Sequence, residues 1–587
     1  MTRSGTLRTT LSLRSPRMLA LWFTLMLLSC APSSPASPGS AARPAAREQA
    51  QAAPTVVRLA MQVQAEPNTG IVDMTGIASS GSGALEHRLT FHAGLTVLDQ
   101  NSVLQPRAAL QVPSLQDGTW QTFPDGRMEL TWKLRPNAFW HDGTPLTAQD
   151  FIFGTDIARD PESVGSPPPQ GTKLISDMQA LDDHTLLVRF PQPFVNANLG
   201  DNTPPLPVHI LRDVYQRGDH HAFENHPYWT QEFVGLGPYK LTRWERGSFI
   251  EGQAHDQYFL GRPKIDRLII RYYGDVNGMI AALLSGDLDV LPAGAQLDAG
   301  QLMVIREAWQ GDEKGSVLPM PKGSRNIYLQ LREQSNPWTR DVRIRQALVH
   351  AIDRQLIVET LQYGIALPAF TPITPELEAF RLLEQRGLPR FEYDPARAER
   401  LLAESGWTRV VDNQLRNAAG QQLLINVTST AQGDNVKEAE TVAAQWSALG
   451  IQSGPAPIAA NAANRDELKN VYQGAFIWPG GNLATVLDTF TVASIPSERT
   501  RWKGNNYAGY ANPAYDRLYE QYGLTLEPAQ SQALIADMMK IVADDVATIP
   551  IYYAALGLAA RKGIEGPGPA APGQSANAWN IHTWDIK

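Results

Sequence analysis

Cys30 is the only cysteine in a chain of 587 residues. Intrachain disulfides, CxxC pairs and cysteine metal clusters are therefore impossible, and whatever fold forms is held by packing. A chain of this length can manage that, because the share of surface buried rises with size and several large cores fit within it. The apolar residues are arranged to suit. Short apolar runs alternate with helical patterns from Thr55 onward, without a repeat of 20 to 50 residues, which is the pattern of a large α/β protein.

Ahead of that part, Arg3, Arg8, Arg14 and Arg17 flank an apolar run, Met18 to Leu28, that is too short to span a bilayer. Leu27-Leu28-Ser29-Cys30 resembles the bacterial lipobox, in which a signal peptide is removed before a cysteine whose thiol is then diacylated. Residues 1–29 are expected to be a lipoprotein signal peptide, with Cys30 as the lipid attachment point. Residues 30–54 are rich in Pro, Ala and Ser and cannot form a core, so they read as a tether. Two acyl chains make a stable anchor where one gives only reversible association. Cleavage removes four of the 51 basic residues and none of the 59 acidic ones, which takes the net charge from −8 to −12. That balance disfavours nucleic-acid binding.

Helix starts are legible along the folded part. Thr147 and Asp150 form a capping-box pattern ahead of Phe151 and Ile152. Asp394-Pro395 opens a helix that Gly406 stops, and Asp341 opens another whose Ile344, Ala347, Leu348, Ala351 and Ile352 share a face. The order Leu423–Ser429, then Val436–Leu449 ended by Gly450, then Ile451 onward predicts strand, helix and strand in a parallel or mixed sheet.

Six segments in order then carry a resemblance. They are LTWKLR at 130–135 with FWHDGTPLTAQDF at 139–151; GLGPYKL at 235–241; Tyr258, Gly261, Pro263 and Ile265-Asp266; LSGDLD at 284–289; DVRIRQAL at 341–348 with AIDR at 351–354; and Tyr507, Tyr510, Asn512-Pro513, Asp516 and IPIYY at 549–553. Together they resemble family 5 of the extracellular solute-binding proteins, the peptide/nickel/opine class that includes the oligopeptide- and dipeptide-binding proteins of ABC transporters. The resemblance implies an α/β, two-lobe periplasmic-binding-protein fold with an extra subdomain and a ligand cleft between lobes joined by a two-crossing hinge. By analogy, 55–319 form lobe I with an inserted subdomain near 104–200, 320–548 form lobe II, and 549–587 return to lobe I. The implied function is capture of a peptide or peptide-like ligand, outside the cytoplasm, for an ABC permease and ATPase complex, by a monomer tied to the membrane only through its lipid anchor. An opine, a sugar or a metal chelate is the alternative ligand, a surface receptor or chaperone the alternative role, and a surface hydrolase a distant one.

Within the family the ligand commonly meets an extended segment near the mature N-terminus, aromatics near the second crossing and a Trp-containing loop of the second lobe. The matching positions are Glu66, Pro67 and Asn68; Tyr552 and Tyr553; and Trp478, Gly480, Gly481 and Asn482, with Arg325, Asn326 and Tyr328 beside the first crossing. Aromatic walls and exposed loop backbone suit an extended ligand of variable side chain. One departure stands out. Peptide binders of the family place an aspartate for the ligand's ammonium three residues after this tryptophan, and here that position is Gly481. An unpaired buried ammonium is costly, so a peptide would need another carboxylate, such as Asp488 or Glu66.

Other reactive-looking residues read as structural. His141 and Asp142 belong to a tight turn and Asp150 to a helix cap. The cluster His220, His221, Glu224 and His226 lies in a polar loop, and neither a metal nor a cofactor is expected. HExxH, GxSxG, Walker A and GxGxxG patterns are absent from the sequence, which therefore carries no sign of an enzyme.

Overall fold

A computed structural model describes residues 53–67, 73–76, 83–160, 162, 168–310, 313–409, 412–431, 434–459, 461–571 and 574–587. The signal segment 1–29, Cys30, most of the tether and Asn68 lie outside the described residues.

Two strands organise the molecule. Gly315–Leu329 and Ile549–Arg561 pair antiparallel, from Gly315 opposite Arg561 to Ile327 opposite Ile549, with irregularities between Pro321 and Gly323 and between Arg325 and Asn326. They form the centre of an eleven-stranded sheet. On one side lie Val290–Leu291, Val56–Gln62, Arg267–Tyr273, Phe249–Ala254 and Tyr239–Glu245, in that order. On the other side, Ala475–Pro479 pairs with Arg325–Leu329 and is followed by Val427–Thr430 and Pro455–Ile458.

Each long strand belongs to two cores. Met320, Leu556, Leu558 and Ala560 pack with Val57, Leu59 and Ile270 in the first lobe. Ile327, Leu329, Ile549 and Ile551 pack with Leu348, Val442 and Trp446 in the second. The chain crosses between lobes within these two strands. A separate four-stranded sheet, Trp120–Thr122, Met128–Lys133, Thr185–Phe190 and Asp177–Asp182, has its own core around Trp132, Trp140 and Phe151. The lobes also touch away from the hinge, where the Val195 N–H donates to the Gly523 carbonyl at 3.1 Å.

Local chemistry accounts for the element starts. The Asp150 carboxylate accepts from the Thr147 N–H at 2.8 Å and from the Val208 N–H at 3.0 Å, so one side chain both caps the helix Ala148–Arg159 and ties down a neighbouring segment. Asp341 and Asp394 cap Val342–His350 and Pro395–Glu404 through the N–H groups of Arg343 and Arg397. The parallel unit expected from sequence is present as Val427–Thr430, the helix Asn435–Ala448 and Pro455–Ile458. Its first strand begins at Val427 rather than Leu423. The stretch upstream buries Leu423 and Ile425 but meets its neighbour through a single bridge, Leu424 to Gln452.

Trp446 is fully buried in the second core, and its indole N–H donates to the Leu348 carbonyl at 3.1 Å. Trp446→Ala removes both the buried ring and that bond, and it should cost about 3–5 kcal/mol. Calorimetry should show the second lobe unfolding at a lower temperature; an unchanged profile would contradict this account of the core.

Candidate ligand-binding site

A cavity of ≈ 200 Å³ lies against the helix Ala84–Phe91. Its first-lobe wall includes Arg88, Leu89, His92, Gly94, Arg107 and the turn around Gly200; Asn482 comes from the second lobe and Gln574 from the returning C-terminal segment. Glycines let the wall close up. A Cβ on Gly235 would sit 2.0 Å from the Phe91 carbonyl oxygen, and one on Gly237 would sit 2.3 Å from the Phe91 carbonyl carbon. The Gly-Leu-Gly segment thereby presses against the end of the helix that carries Arg88 and His92, with the Gly237 N–H donating to Phe91 at 3.1 Å.

Three basic side chains, Arg88, His92 and Arg107, are among the polar groups on this wall. Arg88 pairs with Asp201 at 3.0 Å. His92 lies flat near Trp140, with ring centroids 5.9 Å apart, and its Nε2 is 3.3 Å from the Pro205 carbonyl. Burial, and then the neighbouring Arg88, push His92 down to about 3, so its ring is neutral at physiological pH. Arg107 is 1% exposed and donates from Nη2 to the Tyr258 hydroxyl at 2.7 Å. Its Nε and Nη1, and the Nδ1 of His92, have no hydrogen-bond partner among the described residues.

Of the residues expected at the site, Asn482 lines this cavity. It also caps the helix Leu483–Asp488 by accepting from the Thr485 N–H at 3.0 Å. Trp478 is partly exposed on Ala475–Pro479, stacked on Phe476 with Lys469 4.8 Å from its ring centre. The Gly480 N–H donates to the Ser324 carbonyl at 2.6 Å, which fixes the Gly480-Gly481 turn to the hinge strand.

The others are tied up elsewhere. Arg325 donates to the Glu438 carboxylate and to Asn435 Oδ1, while the Tyr552 hydroxyl donates to the other Glu438 oxygen. This buried network sits where the two long strands pair, with Arg325 opposite Tyr552. Tyr553 donates to the carbonyls of Thr371 and Ile373, and the Asn326 amide donates to Ser324 Oγ at 2.9 Å. Tyr328 is buried among Tyr507, Phe476 and their neighbours. Glu66 accepts from the Trp244 indole and the Gly247 N–H, both at 2.8 Å, and the Pro67 carbonyl accepts from Arg246.

Among the cavity residues not foreseen from sequence are Arg88, His92, Arg107 and Gln574. Arg107 had a signal, as a lone cation between Leu104-Gln-Pro106 and Ala108-Ala-Leu110. His141, Asp142 and Asp150 serve structure. The His141 ring bridges Gly235 and Gly237, and Asp142 accepts from the Thr144 N–H at 2.9 Å in the turn.

The profile of the bacterial extracellular solute-binding proteins, family 5 Middle, matches residues 111–494, well over half of the chain. The chain belongs to that family. As a family 5 solute-binding protein it is 24% identical over 449 residues to the oligopeptide-binding protein AppA of Bacillus subtilis, covering 75% of this chain and 78% of that one. It is 28% identical over 297 residues to a putative ABC transporter peptide-binding protein of Brucella ovis, spanning about half of each chain (50% and 51%). Its fold matches that of NikZ from Campylobacter jejuni in complex with Ni(L-His), at 20% identity and a TM-score of 0.68, over 90% of this chain and 99% of that one. This family 5 protein is thus a two-lobe, extracytoplasmic substrate-binding component of an ABC importer, from a family of binding proteins rather than enzymes. No helix among its described residues is long and apolar enough to cross a membrane.

The buried pair at the hinge of this solute-binding protein gives a direct test. Glu438→Gln leaves Arg325, 7% exposed, without its carboxylate, and a broken buried pair costs about 3–5 kcal/mol. The urea midpoint should fall accordingly; an unchanged midpoint would show that the pair contributes nothing.

Proposed function

We propose that this protein is a monomeric lipoprotein, anchored through Cys30, that closes around a small peptide-type solute and delivers it unchanged to an ABC permease and ATPase complex. The observation that carries this reading is a cavity walled by the first lobe and met by Asn482 of the second, between lobes that share two crossing strands. A solute there bridges both lobes and shifts the population toward the closed state. A relative named for oligopeptide binding supports the peptide class. Closure about an internal hinge requires no second copy, and delivery requires no catalysis.

A non-peptide solute is the second reading, and two observations favour it. Gly481 stands where peptide binders of the family place an aspartate, and the two candidate replacements, Asp488 and Glu66, are occupied. Asp488 accepts from Ser494 Oγ and from the Asn505 amide, and Glu66 is held by Trp244 and Gly247. The cavity volume also lies below the usual range for drug-sized ligands, roughly 300–1,000 Å³, and favours a small solute.

Native mass spectrometry of the form that begins after Cys30, purified without denaturation, should show a bound small mass that unfolding releases. A set of short peptides would establish the first reading, one discrete non-peptide mass the second, and any turnover of the solute would contradict both. Cys30→Ser should move the full chain from the membrane fraction to the soluble one; unchanged membrane retention would exclude the lipid anchor.

A further inference from the structure

One leucine of the second lobe packs outside its own lobe. The helices Pro513–Leu524 and Pro528–Asp544 belong to the second lobe, where Tyr515 of the first and Ile535, Met538 and Met539 of the second are buried with Tyr328 and Phe476. Leu526, in the link between them, packs instead against the core of the separate four-stranded sheet, the cluster that holds Trp132, Phe151 and Phe194. Beside it, the Val195 N–H donates to the Gly523 carbonyl at 3.1 Å, and the Asn196 side chain lies next to the Tyr522 hydroxyl.

The segment that receives Leu526 and Gly523 is continuous with the cavity wall. The Ala197 N–H donates to the Phe194 carbonyl at 3.1 Å, and Asn202 Nδ2 donates to the Asn196 carbonyl at 2.7 Å, so residues 194–197 form a fixed bend. From it the chain runs directly into Leu199, Gly200 and Asp201 on the wall. The second lobe carries both Asn482, which meets the cavity, and Leu526, so rotation about the crossing strands moves them together. Val195, Gly523 and Leu526 do not themselves line the cavity, and the contact is therefore indifferent to which solute is bound. One backbone hydrogen bond and one leucine are a weak tie, enough to bias two hinged lobes and too little to lock them.

We propose that residues 523–526 are a clasp that draws the lobes together ahead of the solute and scales the affinity for every solute alike. This rests on the reading that a solute is held by closure of the lobes. When the binding-competent state is only partly populated, apparent affinity falls by that fraction, whatever the solute.

The test is the spin-spin distance between labels on Leu181→Cys and Val471→Cys, without Cys30, in protein stripped of its co-purified solute. The wild type should show a closed component, at the distance found with that solute bound, beside an open one. Leu526→Ala should lower the closed-to-open ratio about tenfold, as expected for one lost leucine contact. Leu526 belongs to neither core of the second lobe, so calorimetry should show that lobe unchanged. Leu524→Ala, in the same region but 50% exposed and outside the cluster, should keep the wild-type ratio. Returning the co-purified solute should close both proteins, with several-fold more of it needed by Leu526→Ala. A stripped wild type without a closed component, or a Leu526→Ala protein with the wild-type ratio, overturns the clasp and leaves closure by solute intact. If the solute does not change the wild-type distance, closure itself fails, and the clasp fails with it.

Discussion

The pairing of Gly315–Leu329 with Ile549–Arg561 belongs to both lobes at once. One end of the ribbon is welded into a core with Val57 and Ile270, and the other into a core with Leu348 and Trp446. Motion between the lobes has to be absorbed in the short stretch between those welds. The two irregularities of the pairing fall in that stretch, at Pro321/Gly323 and Arg325/Asn326. Gly323 there adopts φ +151° and faces the Gly480 and Gly481 carbonyls, so the loop preceding Asn482 rests on the bending segment itself. A change at the cavity and a change at the hinge are therefore mechanically adjacent.

Two buried arginines show how the same chemistry serves different ends. Arg325 is matched: Glu438, Asn435 and the register with Tyr552 hold it, and it stiffens the second-lobe end of the ribbon. Arg107 is equally buried and unmatched, and it stands on a cavity wall. A satisfied buried charge fixes structure, while an unsatisfied one is a cost that the rest of the fold has to carry.

Much of the fold was legible in the sequence, for local reasons. Asp341, Asp394 and Asp150 act within their own helix turns, and the unit from Val427 to Ile458 announces itself by periodicity. The site was much less legible. Arg325, Tyr552 and Tyr553 look like ligand contacts when only residue type and position are known, but their partners, Glu438 and the carbonyls of Thr371 and Ile373, lie far away along the chain. Arg88, His92, Arg107, Asn482 and Gln574 meet only after folding, and no spacing rule joins them. The missing aspartate at Gly481 was visible from the start, and its counterpart, a cavity wall richer in cations than in anions, was not.

The central claim is that a solute between the lobes holds them closed about the two-strand hinge. The most direct test is an electron spin-spin distance between labels on Leu181→Cys, in the separate four-stranded sheet, and Val471→Cys, in the second lobe, in a background without Cys30. Both positions are exposed, at 52% and 45%. With the co-purified solute bound, the distance distribution should be single and narrow; stripping the solute should lengthen and broaden it, and returning it should restore the first state. An identical distribution with and without solute would contradict the account.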